Sequence, residues 1–219
     1  MGYTLHFGVV WASLDKLLSG LALGLGLGLA AVAIGAVIGL VAGFASVGPS
    51  PFWRRAAGLY VTIFRNLPIL VIVLVVYFGL PEFGIRLGKI ESFIASLAVY
   101  AGAYLTEVFR AGLLAVPKGV IEAGRAIGLT RLQTNAYVVA PIMFRNALPA
   151  LGTTFISLFK DSSIAAVIAI PELTFQARKI NVESFRVIET WTVASLLYVS
   201  TCLSIAALLR ALERRFPKF

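Results

Sequence analysis

The sequence feature that most constrains the fold is an apolar run near the start of the chain. From Leu17 to Ala45 no residue carries a charge. A helix of about 20 apolar residues is long enough to cross the hydrocarbon core of a bilayer. Because backbone groups in lipid must bond one another, a helix is the form that such a run takes there. The run therefore predicts a first transmembrane helix.

The composition of the whole chain is also compatible with lipid as the surrounding solvent. Hydrophobic residues make up 59% of the 219 residues and charged residues 13%, whereas soluble domains contain roughly 45–50% and about 25%. We expect an all-α membrane protein in which residues 1–219 form a single transmembrane domain. About five spans are predicted, at residues 17–45, 56–80, 93–110, 149–170 and 190–209.

The charge distribution predicts an orientation. Five spans place the two termini on opposite sides, and 11 of the 19 Lys and Arg residues then share the side of the C-terminus, against 6 on the other. Cytoplasmic loops carry the excess of Lys and Arg, so we expect a cytoplasmic C-terminus and an outside N-terminus. This accounts for the net charge of +9 without a nucleic acid partner. The cytoplasmic group ends in a basic cluster at Arg210, Arg214, Arg215 and Lys218.

Small residues recur along the first span. The spacing Gly35-x-x-x-Gly39-x-x-x-Gly43 places three glycines on one helix face. Such a face lets a second membrane helix approach closely. We therefore expect helix packing here.

Two polar segments interrupt predicted spans. They are Arg65-Asn66-Leu67-Pro68 in the second span and Lys160-Asp161-Ser162-Ser163 in the fourth, each at about mid-depth. Charge at that depth costs about 2.5–3.5 kcal/mol on insertion scales, so these groups must pair or line a wet cavity.

Asn66, Asp161 and Ser162 are favoured as solute-path residues because short polar side chains cannot reach the membrane surface. For Arg65 and Lys160, a structural ion pair with Asp161 is an equal alternative.

Pro68 could either mark the start of the second span or lie inside it. A start of the second span at Pro68 would leave few apolar residues before Glu82, so we expect one span that runs through Pro68. In the third span, Glu107 and Arg110 have the spacing of an ion pair within one helix, and such a structural pair is predicted.

Residues 117–145 form a polar stretch between the third and fourth spans. It contains Glu122-Ala123-Gly124-Arg125-Ala126-Ile127-Gly128 and, nine residues later, Val138-x-Ala140-Pro141. We interpret this pattern as a short amphipathic helix, a glycine bend and a second short segment. A helix rich in small residues buries little area in lipid, so this one is expected to dock on a protein partner.

This stretch resembles the E-A-A-x3-G-x9-I-x-L-P motif of the membrane subunits of bacterial ABC importers. The segments at Phe64–Pro68, Phe109–Gly112 and Lys160–Ser163 are similar to those of the polar amino-acid uptake branch. The sequence departs from the motif at Gly124, Val138 and Ala140.

The resemblance implies a type I ABC importer (MetI-like) transmembrane domain in a bacterial plasma membrane. Residues 117–145 would be its cytoplasmic coupling loop, with Glu122, Ala123, Gly124 and Gly128 at the contact with an ATPase. The implied partners are a cytoplasmic ABC ATPase dimer, a second identical or homologous permease chain, an extracytoplasmic amino-acid-binding protein and membrane lipid. Asn66 and Asp161 match substrate-contact positions of some relatives.

The expected function is import of a polar or charged L-amino acid by a subunit that is not itself an enzyme. The sequence lacks the G-x4-G-K-[ST] phosphate loop, so ATP would be bound by the partner. No other cofactor and no metal is expected. An importer for another small solute such as an oxyanion, which Arg65 and Lys160 would favour, is the alternative. An ion-coupled secondary transporter is a more distant one.

Overall fold

Every regular element between residues 3 and 215, the part of the chain that the computed structural model describes, is helical. This confirms the all-α prediction. Lys218, part of the basic cluster predicted near the C-terminus, lies outside the described residues. The α-helices are α1 (Gly8–Trp11), α2 (Leu14–Val47), α3 (Pro51–Asn66), α4 (Ile69–Leu74), α5 (Lys89–Leu114), α6 (Lys118–Ala126), α7 (Arg131–Thr134), α8 (Ala140–Asp161), α9 (Leu173–Ser184) and α10 (Val187–Arg215). Short segments of π-helix at Val75–Gly79 and Asn135–Val139, and of 3-10 helix at Leu80–Phe83 and Ser162–Ile168, adjoin these α-helices.

Four helical stretches are long and apolar enough to cross a membrane. They are Leu14–Val47, Lys89–Leu114, Arg131–Ile168 and Val187–Arg215. A fifth candidate is the pair Pro51–Asn66 and Ile69–Phe83, which is bent by 100° at its break. Within the described chain, the predicted number of five spans is reached when this bent pair counts as one.

The helix breaks at Pro68, within the span that was predicted to run through this residue. Helix α3 ends at Asn66, Leu67 is extended (φ −91°, ψ 134°), and Pro68 caps the start of α4. The ring of a proline disfavours helical backbone at the residue before it and lacks an N–H for the ladder. A new helix therefore starts at Pro68, and the predicted second span is present only as the bent pair. Arg65 and Asn66 lie at the C-terminus of α3, beside the break of this pair.

The fourth span also begins earlier than predicted. It starts at Arg131, and Pro149 lies inside α8, because a membrane helix tolerates a proline when neighbouring groups satisfy the freed carbonyl. Lys160 is then 29 residues from the start of the span, or roughly 43 Å along a helix. It lies near the C-terminal end of this helical stretch, which at 38 residues is longer than the hydrocarbon core is thick.

The chain divides into two compact units. The first contains residues up to 32, 68–97 and 156–205, and the second contains residues 33–67, 98–155 and from 206 onward. In the first unit, a buried apolar cluster joins the start of α2 to α9 and α10 through Leu17, Leu173 and Val193. The contact is close: a Cβ on Gly20 would lie 2.8 Å from the carbonyl carbon of Glu172.

In the second unit, the glycine face of α2 packs against α5 as predicted. A Cβ on Gly35 would lie 2.8 Å from the Cβ of Ala101, and one on Gly39 would lie 2.7 Å from the Cβ of Leu105. Helix α3 is joined to α5 by the Tyr60 hydroxyl, which donates to the carbonyl of Val99 at 2.6 Å. Helices α2 and α5 therefore touch through their backbones.

Gly39→Ala is expected to lower the free energy of unfolding by about 1–3 kcal/mol, because the new methyl group overpacks the contact between α2 and α5. Thermal unfolding of the detergent-solubilised protein measures the change. The matched control is Gly26→Ala in the same helix, where nothing lies within 4 Å of the added atom. Equal destabilisation by both substitutions would contradict the proposed role of the close contact.

Candidate functional site

The solute-path residues predicted from the sequence divide between the two units. Arg65 and Asn66 belong to the second unit, and Lys160, Asp161 and Ser162 belong to the first.

Arg65 lies over an aromatic ring. Its guanidinium carbon is 5.1 Å from the centroid of the Tyr104 ring, which is a cation–π distance. The Tyr100 hydroxyl donates to that of Tyr104 at 3.1 Å. Arg65, held at the end of α3, is thereby positioned against the middle of α5.

Helix α5 carries further polar groups one turn beyond Tyr104. Arg110 and Glu107 form an ion pair, with Nη2 of the arginine 2.6 Å from Oε2 of the glutamate. The Arg110 Nε adds bonds of 3.0 and 3.1 Å to the two carboxylate oxygens. The predicted pair is therefore confirmed. Since residues three and four apart share a helix face, the α5 polar strip consists of Tyr100, Tyr104, Glu107 and Arg110.

Asn66 is the last residue of α3 and is exposed. Its amide nitrogen donates to the carbonyl of Thr62 at 2.7 Å. Its amide oxygen accepts no hydrogen bond from any residue in the described part of the chain. An acceptor therefore remains available for a ligand's N–H donor.

The second polar segment lies where α8 ends. Lys160 is exposed and Asp161 is half-buried, and no described cation lies within 4.0 Å of the Asp161 carboxylate. The structural ion pair between Lys160 and Asp161 is therefore not formed. The Asp161 carboxylate keeps its acceptor capacity for a cationic group.

Ser162 is fully buried. Its hydroxyl donates to the carbonyl of Phe159 at 2.6 Å, and a Cβ on Gly24 of α2 would lie 3.2 Å from its Oγ. The hydroxyl therefore has a local partner within a close helix contact. A solute would have to displace that bond to reach it.

Glu172 is a buried polar residue that the sequence analysis missed. It caps the start of α9: its carboxylate accepts from the N–H of Thr174 at 2.9 Å and of Phe175 at 2.8 Å, and from the Tyr198 hydroxyl at 3.0 Å. Burial raises the pKa of Glu172, while these donors oppose the rise. An acidic residue directly before an apolar helix is an N-cap signal, and Glu172-Leu173 has that pattern.

The polar stretch between the third and fourth spans forms a helix, a turn and a second helix. Gly128, with φ of +91°, follows α6. The N–H of Leu129 bonds the carbonyl of Gly124 at 3.2 Å, and the N–H of Gly128 bonds that of Arg125 at 3.0 Å. These two bonds define a Schellman turn, which favours glycine at the left-handed position. The predicted glycine bend is therefore present at Gly128.

The next helix, α7, starts with a capping box between Thr130 and Gln133. Gly124 is buried, and a Cβ there would lie 3.5 Å from side-chain carbons of Thr134 and Val138. This is ordinary contact, so the alanine of the family motif would fit at Gly124. Glu122 and Ala123 are exposed and available to a partner.

The chain is similar to known transport proteins over most of its length. The family described as "Binding-protein-dependent transport system inner membrane component" matches residues 35–218. The glutamine transport system permease protein GlnP of Escherichia coli (strain K12) is 34% identical over 211 residues, which cover 95% of this chain and 96% of GlnP. The L-cystine transport system permease protein TcyB of Bacillus subtilis (strain 168) is 31% identical over 186 residues, which cover 84% of this chain and 80% of TcyB.

Two solved structures share the fold. A crystal structure of an amino acid ABC transporter with histidines has a TM-score of 0.88 and 33% identity, with 97% of this chain and 100% of that chain covered. An inward-facing MetNI methionine ABC transporter has a TM-score of 0.80 and 22% identity, with 94% and 99% covered. The MetI-like fold expected from the sequence agrees with these neighbours.

Glu172→Ala is expected to lower the free energy of unfolding by about 1–2 kcal/mol, because α9 loses its N-cap. Denaturant unfolding of the detergent-solubilised protein measures the effect. Glu183→Ala in the same helix is the control: its side chain is 59% exposed and lies 3.9 Å from Lys179, so we expect a change of no more than about 0.5 kcal/mol. If the two variants lose the same stability, the capping role is wrong.

Proposed function

Because this chain belongs to the family of inner-membrane components of binding-protein-dependent transport systems, we propose that it is the permease subunit of an ATP-driven importer of a polar or charged L-amino acid. The observation that carries the proposal is α6 and the capped turn that follows it, which join the span ending at Leu114 to the span beginning at Arg131, with Glu122 exposed. The glutamine and cystine permeases that the chain resembles support the amino acid as substrate.

The coupling step uses residues 117–145. Because the sequence has no phosphate loop of its own, ATP binds a separate cytoplasmic ABC ATPase dimer. Glu122 and Ala123 contact that ATPase, while Gly124 and Gly128 give the loop its shape: the first allows close packing inside the loop, and the second allows the turn. Movement of the ATPase is transmitted through α6 to the spans on either side of it.

The chain needs two further partners for this activity. An extracytoplasmic binding protein delivers the amino acid to the outer face, and a second permease chain, identical or homologous, completes the pathway. The distribution of Lys and Arg supports a bacterial plasma-membrane protein with an outside N-terminus and a cytoplasmic C-terminus.

The polar groups at the helix breaks supply the contacts that an amino acid needs. In the first unit, the Asp161 carboxylate accepts from an α-ammonium group, and exposed Lys160 attracts a carboxylate group. In the second unit, Asn66 bonds either end of a zwitterion, and Arg65, over the Tyr104 ring, attracts a carboxylate group. Ser162 joins this set only when its bond to the Phe159 carbonyl opens. Import of an oxyanion is less well supported, because an uncompensated Asp161 repels anions.

Glu122→Lys is expected to abolish co-purification of the ATPase, because the reversed charge and longer side chain disturb the exposed face of α6. A pull-down from membranes that express both subunits measures the bound ATPase. Glu183→Lys makes the same charge reversal at an exposed position of α9 and should keep the ATPase bound. Full retention of the ATPase by the Glu122 variant would refute the coupling role.

Asp161→Asn and Asn66→Ala are each expected to raise the amino acid concentration for half-maximal ATPase stimulation at least about tenfold. A hydrogen bond to a charged group contributes about 1.5–3 kcal/mol, and 1.4 kcal/mol corresponds to a factor of ten. The measurement uses the reconstituted complex and a panel of amino acids. Asp15→Asn, at the exposed start of α2, should leave the value unchanged. An unchanged value for both site variants would remove these residues from the solute path.

A further inference from the structure

A cavity of about 500 Å³ lies within the second unit, and residues of the coupling helix α6 form part of its wall. One part of its wall is polar and contains Arg125, Arg131 and Asn135. Another part is apolar and comes from the last turns of two spans, with Phe44 and Val47 from α2, and Leu113 and Leu114 from α5. The cavity therefore joins the end of the membrane-spanning region to the polar loop.

The two arginines of this cavity have no counter-charge. No acidic residue lines the cavity, and neither arginine forms an ion pair or a side-chain hydrogen bond with any residue between 3 and 215. Arg110, by contrast, is neutralised by Glu107 at 2.6 Å. The charge of the cavity wall is thus complementary to an anion from outside the chain.

Helix α6 carries both residues that line the cavity and the exposed coupling residue Glu122. Ile121 and Arg125 both line the cavity and are four residues apart, so they share one helix face. Glu122 is exposed and does not line the cavity; it lies about 100° from Ile121 around the helix axis and one turn from Arg125. An occupant of the cavity can therefore contact α6 while an ATPase contacts Glu122.

We propose that this cavity binds an anionic phospholipid, with its phosphate on Arg125 and Arg131 and the first part of an acyl chain against Phe44 and Leu113. Guanidinium groups bind phosphate with paired hydrogen bonds, and basic pockets beside spans on the cytoplasmic side hold anionic headgroups. A soluble phosphate would satisfy the arginines but would leave the apolar wall uncovered. The cytoplasmic position of the cavity rests on the orientation given under the proposed function.

A lipid in this position links α6 to the ends of α2 and α5. Because α6 is the element that contacts the ATPase under the proposed function, the bound lipid fixes the coupling helix to the membrane surface. Anionic lipid is thereby a partner of the coupling loop as well as the solvent of the spans.

The test measures lipid binding by native mass spectrometry of the detergent-purified complex of permease and ATPase, with no amino acid present. Phosphatidylglycerol is titrated against phosphatidylcholine. We expect the double variant R125Q/R131Q to bind phosphatidylglycerol about 30-fold more weakly, since each basic residue contributes a factor of roughly five near an anionic lipid. R125K/R131K, which keeps both charges but loses the paired hydrogen bonds of the guanidinium groups, should bind phosphatidylglycerol more weakly than the parent protein and more tightly than R125Q/R131Q.

The control is R54Q/R55Q, which removes the same charge at two exposed residues at the start of α3 that do not line the cavity. It should bind phosphatidylglycerol as the parent protein does. Equal binding of both lipids by the parent protein, or equal loss in the cavity and control variants, would overturn the proposal. Displacement of bound lipid by inorganic phosphate would assign the arginines to a soluble anion instead.

One result would assign the arginines to a protein interface: loss of the ATPase from R125Q/R131Q with lipid binding unchanged. This outcome also overturns the lipid proposal. Because the lipid titration contains no amino acid, failure to find a transported amino acid would leave its result intact. The two proposals can therefore fail separately.

Discussion

Hydrocarbon offers a peptide group no hydrogen-bond partner, and the architecture of this chain depends on that constraint. Long helices satisfy their own backbones, as α2 does over Leu14–Val47. Several polar side chains on such helices bond within the protein: Glu107 bonds Arg110 on α5, and Tyr198 on α10 bonds the capping carboxylate Glu172. Asn66 and Asp161 keep acceptors that no described residue uses, at the ends of α3 and α8, where a helix stops and its regular bonding stops with it.

Close packing between helices depends on the absence of side chains. In the second unit, Gly35 and Gly39 bring α2 against the backbone of α5, and in the first unit Gly20 brings α2 against the start of α9. Lipid supplies no hydrophobic driving force between helices, so van der Waals contact at short range is what holds them together. The same close approach places α2 against buried Glu172, the residue that caps α9.

Local patterns in the sequence were sufficient where a feature depends on one helix. The span at α2, its glycine face, the Glu107–Arg110 pair and the bend at Gly128 all follow from spacing along the chain. The bend at Pro68 was missed because counting apolar residues gave more weight to span length than to the backbone restriction that proline imposes on Leu67. The burial of Glu172 and of Ser162 was missed for another reason: both residues pack against α2, at Gly20 and Gly24, about 140–150 positions away, which no local pattern encodes.

The central claim is that this chain moves an amino acid only when a separate ATPase drives it. Uptake of labelled amino acids into proteoliposomes tests this most directly, with the permease, the ATPase and the binding protein added together or singly. We predict accumulation only when all three proteins and ATP are present. ATP-independent accumulation by the permease alone would contradict the account, since it would make the chain a transporter with no need of the capped loop formed by α6 and α7.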